Sequence, residues 1–251
     1  MHPKEPNPDI QRVRFSLRAA GNNSQAPDRL RSGVHSRGYL PHVKREGVSY
    51  FVTFRLADSL PRAVLLKFQA ERAARLRTFF AASEARKKDT ATPMPSESED
   101  EINRDYNRDV ERYLDRGAGA CYLRRPEIAE LVANAMRYFE GQRYYLSEWV
   151  VMPNHVHAVL RPMANHSIGE IMKSWKGYTA REANKTLNRI GEPFWQQEPF
   201  DHWIRDDEER ARICRYVRNN PVTARLCAAP EDWRWSSAWP DWKTAKPAEA
   251  Q

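Results

Sequence analysis

The stretch VVMPNHVHAVL, residues 150–160, limits the fold of this chain more than any other part of it. Two largely apolar runs, from about Arg143 to Met152 and from His155 to Leu160, are separated only by Pro153–Asn154, a dipeptide typical of turns. This arrangement predicts two adjacent antiparallel strands. Because side chains alternate across a strand, His155 and His157 project together to one face, and the apolar residues around them face a core on the other.

The segments around this hairpin predict an α+β fold. Tyr50 to Leu56 is β-branched and aromatic, which is typical of a strand. Ser167 is expected to cap a helix whose apolar stripe is Ile168, Ile171, Met172, Trp175, Thr179 and Ala183. A short strand region is expected at about 194–204, followed by a helix that ends at Pro221. The resulting order favours a ferredoxin-like antiparallel sheet with helices packed on one face.

Three stretches are expected to differ from this compact arrangement. Residues 1–38 are rich in Pro, Asn, Ser and Arg without periodicity, which predicts a disordered basic tail. A single domain is expected at 39–240, with a helical and low-complexity insertion at about 61–140. Within that insertion, the charged and Pro/Ser-rich residues from about 82 to 101 predict a loop or a disordered insert. Residues 241–251 are expected to form a flexible C-terminal tail.

The composition narrows the class of protein. The 251 residues include 41 Lys and Arg against 33 Asp and Glu, so the net charge is +8 at pH 7 and favours a polyanionic partner such as nucleic acid. Three widely spaced cysteines form no disulfide framework, which indicates a reducing, cytoplasmic setting. No run approaches the ~18 apolar residues of a membrane helix, so no membrane partner is expected.

The two histidines could hold a metal ion. Two imidazoles side by side form two thirds of a facial metal site, which one oxygen ligand would complete. A His-x-His pair is more often two exposed strand histidines, but a polar pair inside an apolar hairpin is costly without partners. Asn220 offers a carbonyl oxygen that hard Mg²⁺ or Mn²⁺ accepts, although it precedes Pro221 and is therefore biased away from helical backbone.

A tyrosine side chain can hold a phosphate ester covalently, so a tyrosine near this metal-binding face is a candidate nucleophile. Tyr216 lies four residues before Asn220, so both project from one face of a helix. Tyr178 is the alternative nucleophile, on a helix among basic residues, with Glu182 rather than an amide four residues later. Each tyrosine could instead be an amphipathic packing residue.

Met152 to His157 is similar to the histidine–hydrophobe–histidine signature of the single-tyrosine HUH transposases. The resemblance extends from about Tyr39 onward. Further blocks that look like the family, the last two especially like its REP-associated tyrosine transposase branch, are Tyr50–Phe54, Ser174–Lys176, Phe194–Gln196, Phe200–Arg205 and Tyr216–Val222.

This resemblance implies a metal-dependent DNA transposase and nuclease that cleaves and rejoins single-stranded, hairpin-associated DNA in the bacterial nucleoid. It implies that Tyr216 forms a 5′-phosphotyrosine and that His155, His157 and Asn220 bind Mg²⁺ or Mn²⁺. A homodimer and a monomer are both compatible with the sequence. Two other functions stay open: a domesticated hairpin DNA-binding protein without cleavage activity, and a Zn-dependent hydrolase in which water is the nucleophile.

A DNA-binding surface is expected where cations and aromatic rings alternate, because cations follow the phosphate backbone and rings stack on unpaired bases. For any one of these residues, a solvated helix face or a core position is an equally good interpretation. The residues expected to bind DNA are Lys173, Trp175, Lys176, Tyr178, Arg181, His202, Arg205 and Arg218.

Overall fold

The computed structural model describes residues 33–36, 41–44, 47–91, 93–197 and 200–244. In these ranges the strands are β1 (Gly33–Ser36), β2 (Pro41–Lys44), β3 (Tyr50–Arg55), β4 (Tyr144–Val151), β5 (His155–Pro162) and β6 (Phe200–Trp203). The helices in the same ranges are α1 (Arg62–Lys88), α2 (Glu99–Asp115), α3 (Pro126–Arg137), α4 (Ile168–Thr186), α5 (Asp207–Thr223) and α6 (Pro240–Thr244). None of these helices combines the length and the apolar character needed to cross a bilayer.

The main sheet has the strand order β4-β5-β3-β6, and all its neighbours are antiparallel. The first strand of this sheet along the chain, β3, lies between β5 and β6, with Tyr50 paired to both Leu160 and Trp203. Helices connect β3 to β4 and β5 to β6, while β4 and β5 form the expected hairpin. This is the ferredoxin-like arrangement, so the predicted α+β fold is confirmed.

The two faces of the sheet bury different sets of side chains, because alternate residues of each strand point to opposite sides. On one face, Val52, Val156 and Ala158 pack in the main core against α3 and α4. All six residues of the stripe predicted on α4 are buried there. On the other face, Val159 packs in a smaller core with Val217 of α5. The expectation that helices cover one face is therefore wrong for α5, which covers the second face beside the histidines.

The predicted insertion at 61–140 contains two different parts. Helix α3 buries Ile128, Val132 and Met136 in the main core and is an integral helix of the fold. The remaining part, α1 and α2 with the connection between them, is called the α1–α2 pair below. It has its own small core, in which Leu60 contacts Val110 and Leu114 of α2.

The predicted loop at 82–101 is largely helical. Helix α1 continues to Lys88 because its Ala, Glu, Arg and Lys residues are good helix formers even without an apolar stripe. The acidic run that follows is the first turn of α2, where Ser98 and Glu101 form a capping box and three carboxylates favour the helix N-terminus. Only the connection between Lys88 and Glu99 is non-helical in the described residues.

The chain ends differ from the expected boundaries where the structure describes them. Gly33–Ser36, within the predicted basic tail, pair with Pro41–Lys44; the rest of 1–38 lies outside the described residues. At the other end, Trp242 of α6 packs edge-on against Trp149 of the sheet, with ring centroids 5.6 Å apart. Residues 241–244 are therefore helical rather than a flexible tail, and residues 245–251 lie outside the described residues.

Candidate active site

The two histidines stand at the start of β5 and are completely buried. The neighbouring strand β3 supplies the partner for the second one, because Thr53 pairs with His157 in the sheet and its hydroxyl lies 2.8 Å from the Nδ1 atom of that ring. Phe51, also on β3, stacks on the same ring at a centroid distance of 5.5 Å. The orientation of His157 is therefore fixed by a strand neighbour and an aromatic wall.

Asn154 fixes the orientation of the other imidazole. Its Nδ2 donates to the backbone carbonyls of Leu114 and Ala118, at 3.0 and 2.9 Å, so its Oδ1 must face away from them. That Oδ1 lies 2.8 Å from Nδ1 of His155 and can only accept. The proton of neutral His155 is therefore on Nδ1, and the lone pair on Nε2 points into the site. Polar partners of this kind orient histidines that bind metals.

Glu111 of α2 reaches the same place from the other side. Its Oε2 lies 3.2 Å from Nε2 of His157 and 3.9 Å from Nε2 of His155. The side chain is 20% exposed, and its ligand atom and those of both histidines lie within 4.8 Å of one another. Two imidazole nitrogens and a carboxylate oxygen at this separation form a candidate metal centre.

Tyr216 and Asn220 of α5 complete the cluster. The hydroxyl of Tyr216 lies 3.4 Å from Nε2 of His157. Tyr216 is 38% exposed, so its hydroxyl reaches the buried cluster while part of the side chain remains open to solvent. Asn220 is buried inside α5, which continues through Pro221 to Thr223. The predicted end of this helix at Pro221 is therefore wrong, and the spacing of four residues is preserved.

The protonation states follow from burial and from the neighbouring charges. Burial lowers the pKa of His155 to about 3, so this ring is neutral at pH 7. Burial alone would raise the pKa of Glu111, but electrostatic attraction to His157 and His155 lowers that pKa instead. Burial raises the pKa of Asp115, one turn further along α2, to about 6, and Glu111 adds to this shift. Burial and these two carboxylates raise the pKa of Tyr216 well above its usual value, so the phenol keeps its proton.

The donor set fits a divalent cation. Among the described residues, several buried polar atoms have no hydrogen-bond partner, and three of them belong to this cluster: Glu111 Oε2, His155 Nε2 and Asn220 Oδ1. Leaving such atoms unpaired costs about 1–3 kcal/mol each, which a ligand would offset. Ligands at 2.0–2.2 Å from a cation lie about 3 to 4 Å from each other, similar to the observed separations.

The two candidate nucleophiles lie on different helices and on opposite faces of the sheet. Helix α5 and the histidines share one face, whereas α4 packs on the other through its buried stripe. Tyr178 is on α4, 43% exposed, with the guanidinium of Arg181 over its ring at 5.8 Å. The structure therefore brings Tyr216, and not Tyr178, to the paired histidines.

Of the residues expected to bind DNA, three have exposed side chains and the others are buried or form contacts within the protein. Lys173, Tyr178 and Arg181 are exposed on α4. Trp175 is only 2% exposed and donates from its indole nitrogen to the hydroxyl of Tyr144. Its position in the core leaves no ring face for a base, so the expectation that Trp175 stacks on DNA is wrong for this arrangement.

The other four expected DNA ligands are engaged in contacts within the protein. Lys176 donates to the carbonyls of Gln196 and Gln197. His202 lies 3.1 Å from Glu209, and Arg205 lies 3.1 Å from Asp100 at the start of α2. Arg218 forms an ion pair with the largely buried Glu148. Any contact with DNA at these positions would compete with the partner already present.

Sequence reasoning did not find Glu111, Asn154 or Thr53 as site residues. Glu111 lies in a charge-rich helix where acidic residues are common, and only the packing of α2 brings it to the histidines. Asn154 was expected simply to form the turn. Thr53 could have been predicted, because it is a polar residue in an otherwise apolar strand. A threonine in a strand that pairs with the His-x-His strand can reach a ring nitrogen.

Comparisons with known proteins agree with this geometry. The model of the IS200-like transposase family matches residues 124–220. A protein of Haemophilus influenzae named only as uncharacterized is 27% identical over 99 residues, which are 31% of this chain and 54% of that protein. The chain thus spans about half the length of this curated relative.

Two solved structures are also similar to the chain. One is a REP-associated tyrosine transposase bound to a REP hairpin, with 16% identity and a TM-score of 0.40, covering 83% of this chain and 84% of that one. The other is a provisionally named transposase of Deinococcus radiodurans R1, with 15% identity and a TM-score of 0.27, covering 74% and 96%.

The segment matched by the family model contains both histidines, Tyr216 and Asn220, whereas Thr53 and Glu111 lie before it. The resemblance to single-tyrosine transposases that the histidine motif indicated is confirmed for this segment. Over residues 124–220, the chain is thus similar to the IS200-like transposase family.

Proposed function

We propose that this protein is a metal-dependent DNA transposase and nuclease that cuts one strand of hairpin-associated DNA through a covalent link to Tyr216. The observation that carries the proposal is the position of the Tyr216 hydroxyl, 3.4 Å from Nε2 of a buried histidine pair. A phenol that can donate to an imidazole beside a candidate metal centre is the arrangement that a tyrosine nucleophile requires. The match of residues 124–220 to the IS200-like transposase model supports the same reaction class.

His155, His157 and Asn220 are the proposed ligands of Mg²⁺ or Mn²⁺. The two rings offer buried Nε2 atoms and the amide offers an unpartnered Oδ1. When bound, the cation would polarise the scissile phosphate and lower the cost of the negative charge that develops on its oxygens. Asn154 and Thr53 hold the two rings in the orientation that ligation needs.

The number of phosphate ester bonds stays the same in the proposed chemical step. A bond forms between the Tyr216 oxygen and phosphorus, and the bond from phosphorus to the 3′ oxygen breaks. The phenol loses a proton and the departing 3′ oxygen gains one, which leaves a 5′-phosphotyrosine and a free 3′-OH. Attack by the 3′-OH of another strand reverses the step, and no nucleotide cofactor is consumed.

The proposed partner is single-stranded DNA beside an imperfect hairpin, as in the REP-associated branch that the motifs resemble. The net charge of +8 suits a polyanion. On α4, Lys173, Tyr178 and Arg181 are exposed and offer cations and a ring face to such a strand. Bacterial cytoplasm, at the nucleoid, is the proposed location, and the proposal is compatible with both a monomer and a homodimer.

The test is a cleavage assay with the full chain on end-labelled, single-stranded hairpin DNA taken from palindromic repeats that flank its gene. Reactions contain Mg²⁺ or Mn²⁺ and are resolved on denaturing gels. We expect the wild-type protein and Tyr178→Phe to form a covalent protein–DNA adduct, and Tyr216→Phe to form none. Tyr178→Phe is the matched control, because it removes the same hydroxyl from an exposed tyrosine on the other face of the sheet.

Other outcomes would change the assignment. An adduct that persists in Tyr216→Phe and disappears in Tyr178→Phe moves the nucleophile to α4. Cleavage that releases product without any adduct indicates a water nucleophile. Tight binding of the hairpin with no cleavage in either metal identifies a DNA-binding protein that does not cut.

A further inference from the structure

The carboxylate of Glu111 occupies an unusual position for a side chain outside the family segment. It comes from α2, which precedes residue 124, yet its Oε2 lies between the two imidazoles, at 3.2 Å and 3.9 Å from their Nε2 atoms. That oxygen is buried and has no hydrogen-bond partner that meets geometric criteria among the described residues. A carboxylate whose only role was to neutralise a histidine would align with an N–H of that ring.

The tautomer of His155 makes the contact with Glu111 unfavourable as it stands. The Nδ1–H group of His155 donates a hydrogen bond to Oδ1 of Asn154, so the lone pair of Nε2 faces the lone pairs of the carboxylate oxygen. Two acceptors pointing at each other in a buried site repel, and no proton is available between them. A cation placed between the atoms removes this repulsion and satisfies both.

The α1–α2 pair is held firmly enough to present this carboxylate. Asn154 donates to the carbonyl of Leu114, in the last turn of α2, and to the carbonyl of Ala118 just beyond it. Val110, next to Glu111, is buried against Leu60. The residue that orients His155 therefore also anchors the helix that carries Glu111.

We propose that Glu111 is a ligand of the divalent cation, so that the α1–α2 pair supplies this site with a carboxylate from outside the segment matched by the family model. The proposal rests on the proposed function for the presence of the metal. The ligand set then becomes two imidazoles, one amide oxygen and one carboxylate. An added negative oxygen strengthens binding of a hard cation, and the site is complete only when α2 is docked.

Metal binding tests this assignment without reference to cleavage. Mn²⁺ affinity is measured by calorimetric titration and by the electron paramagnetic resonance signal of free Mn²⁺, using the metal-free full chain. We expect Glu111→Gln to weaken Mn²⁺ binding at least about tenfold, the lower end of what loss of a group supporting a metal site produces. The control Glu99→Gln removes an exposed carboxylate from the first turn of the same helix and is expected to leave the affinity unchanged.

A second control separates ligation from the general effect of negative charge. Asp115→Asn removes a carboxylate one turn from Glu111, near the same cluster. If Asp115→Asn weakens Mn²⁺ binding as much as Glu111→Gln, only the electrostatic field matters and the assignment is wrong. An affinity of Glu111→Gln within about twofold of the wild type overturns it as well.

A measurement on the wild-type chain remains informative even if Glu111→Gln does not fold. Hydrogen exchange is followed with and without Mn²⁺ in peptides that cover α2 and the start of β5. Ligation by Glu111 slows exchange in both, whereas protection of the β5 peptide alone contradicts it. The two proposals can fail separately. If no DNA adduct forms while Mn²⁺ binds normally, the proposed nuclease activity is rejected. If an adduct forms and Glu111→Gln leaves the Mn²⁺ affinity unchanged, the assignment of Glu111 as a ligand is rejected.

Discussion

At the scale of single residues, the candidate site depends on side chains that orient the two histidines from behind. Thr53 and Asn154 each bind the Nδ1 atom of one histidine at 2.8 Å and leave both Nε2 atoms free to converge. His155, His157, Tyr216 and Asn220 could be predicted, because spacings of two in a strand and four in a helix define a common face. Glu111 could not, since its approach depends on how a distant helix docks.

Thr53→Val tests the support of His157. Valine has nearly the same shape but cannot bond to Nδ1, so we expect unfolding to become easier by about 1–3 kcal/mol and Mn²⁺ affinity to fall about tenfold or more. Both are measured on the same preparations, by urea denaturation and by Mn²⁺ titration.

Thr179→Val is the matched control for this experiment. Thr179 is also buried, and its hydroxyl bonds to Trp175 and Trp195 on the opposite side of the sheet. We expect a similar loss of stability with no change in Mn²⁺ affinity. Equal losses of affinity in the two variants would mean that destabilisation, rather than the bond to His157, is the cause.

At the scale of elements, the sequence predicted best those segments whose pattern and caps agree. Ser167 caps α4 as expected, with the reciprocal bond from Glu170, and its apolar stripe is buried. The charge-rich end of α1 and start of α2 resemble a loop in the sequence, because neither has an apolar face. They are helical because helix propensity and capping are sufficient there. Helix α5 passes through Pro221, whose preference against helix at the preceding residue is overridden by packing.

Helix α6 provides a test of the revised C-terminal boundary. Trp242 packs on Trp149, lies under the guanidinium of Arg137 at 4.6 Å, and accepts a hydrogen bond from that arginine through its carbonyl. We expect Trp242→Ala to cost about 2 kcal/mol, below the ~3–5 kcal/mol typical of fully buried tryptophans because this one is partly exposed. Thermal denaturation measures the effect, and an unchanged melting temperature would restore the expectation of a flexible tail from residue 241.

At the scale of the whole molecule, the excess of basic residues bears on the proposed binding of DNA. The basic side chains differ in their availability to DNA, because some already form ion pairs with carboxylates of the protein. Lys173 is exposed on α4, while Arg218 is paired with the largely buried Glu148, which also accepts a bond from Ser237. Charge count in a sequence cannot distinguish these two situations, and only the packed structure does.

Salt dependence of DNA binding separates the two kinds of cation. We expect Lys173→Ala to reduce the slope of log affinity against log salt concentration by about 0.7 on single-stranded DNA, the share of one phosphate contact. Arg218→Ala should leave the slope nearly unchanged and lower the free energy of unfolding by about 1–3 kcal/mol, because Glu148 loses a partner. A larger change of slope in Arg218→Ala than in Lys173→Ala would show that Arg218 exchanges its partner for DNA.

The central place of β3 has a consequence for biosynthesis. Both of its neighbours follow it at a long separation in the chain, β5 at His155–Pro162 and β6 at Phe200–Trp203. Long-range strand pairing is slow, and this sheet cannot close until β6 has been synthesised. Because Tyr216 follows β6, a growing chain gains this proposed nucleophile only after the strands that support the histidines have been made.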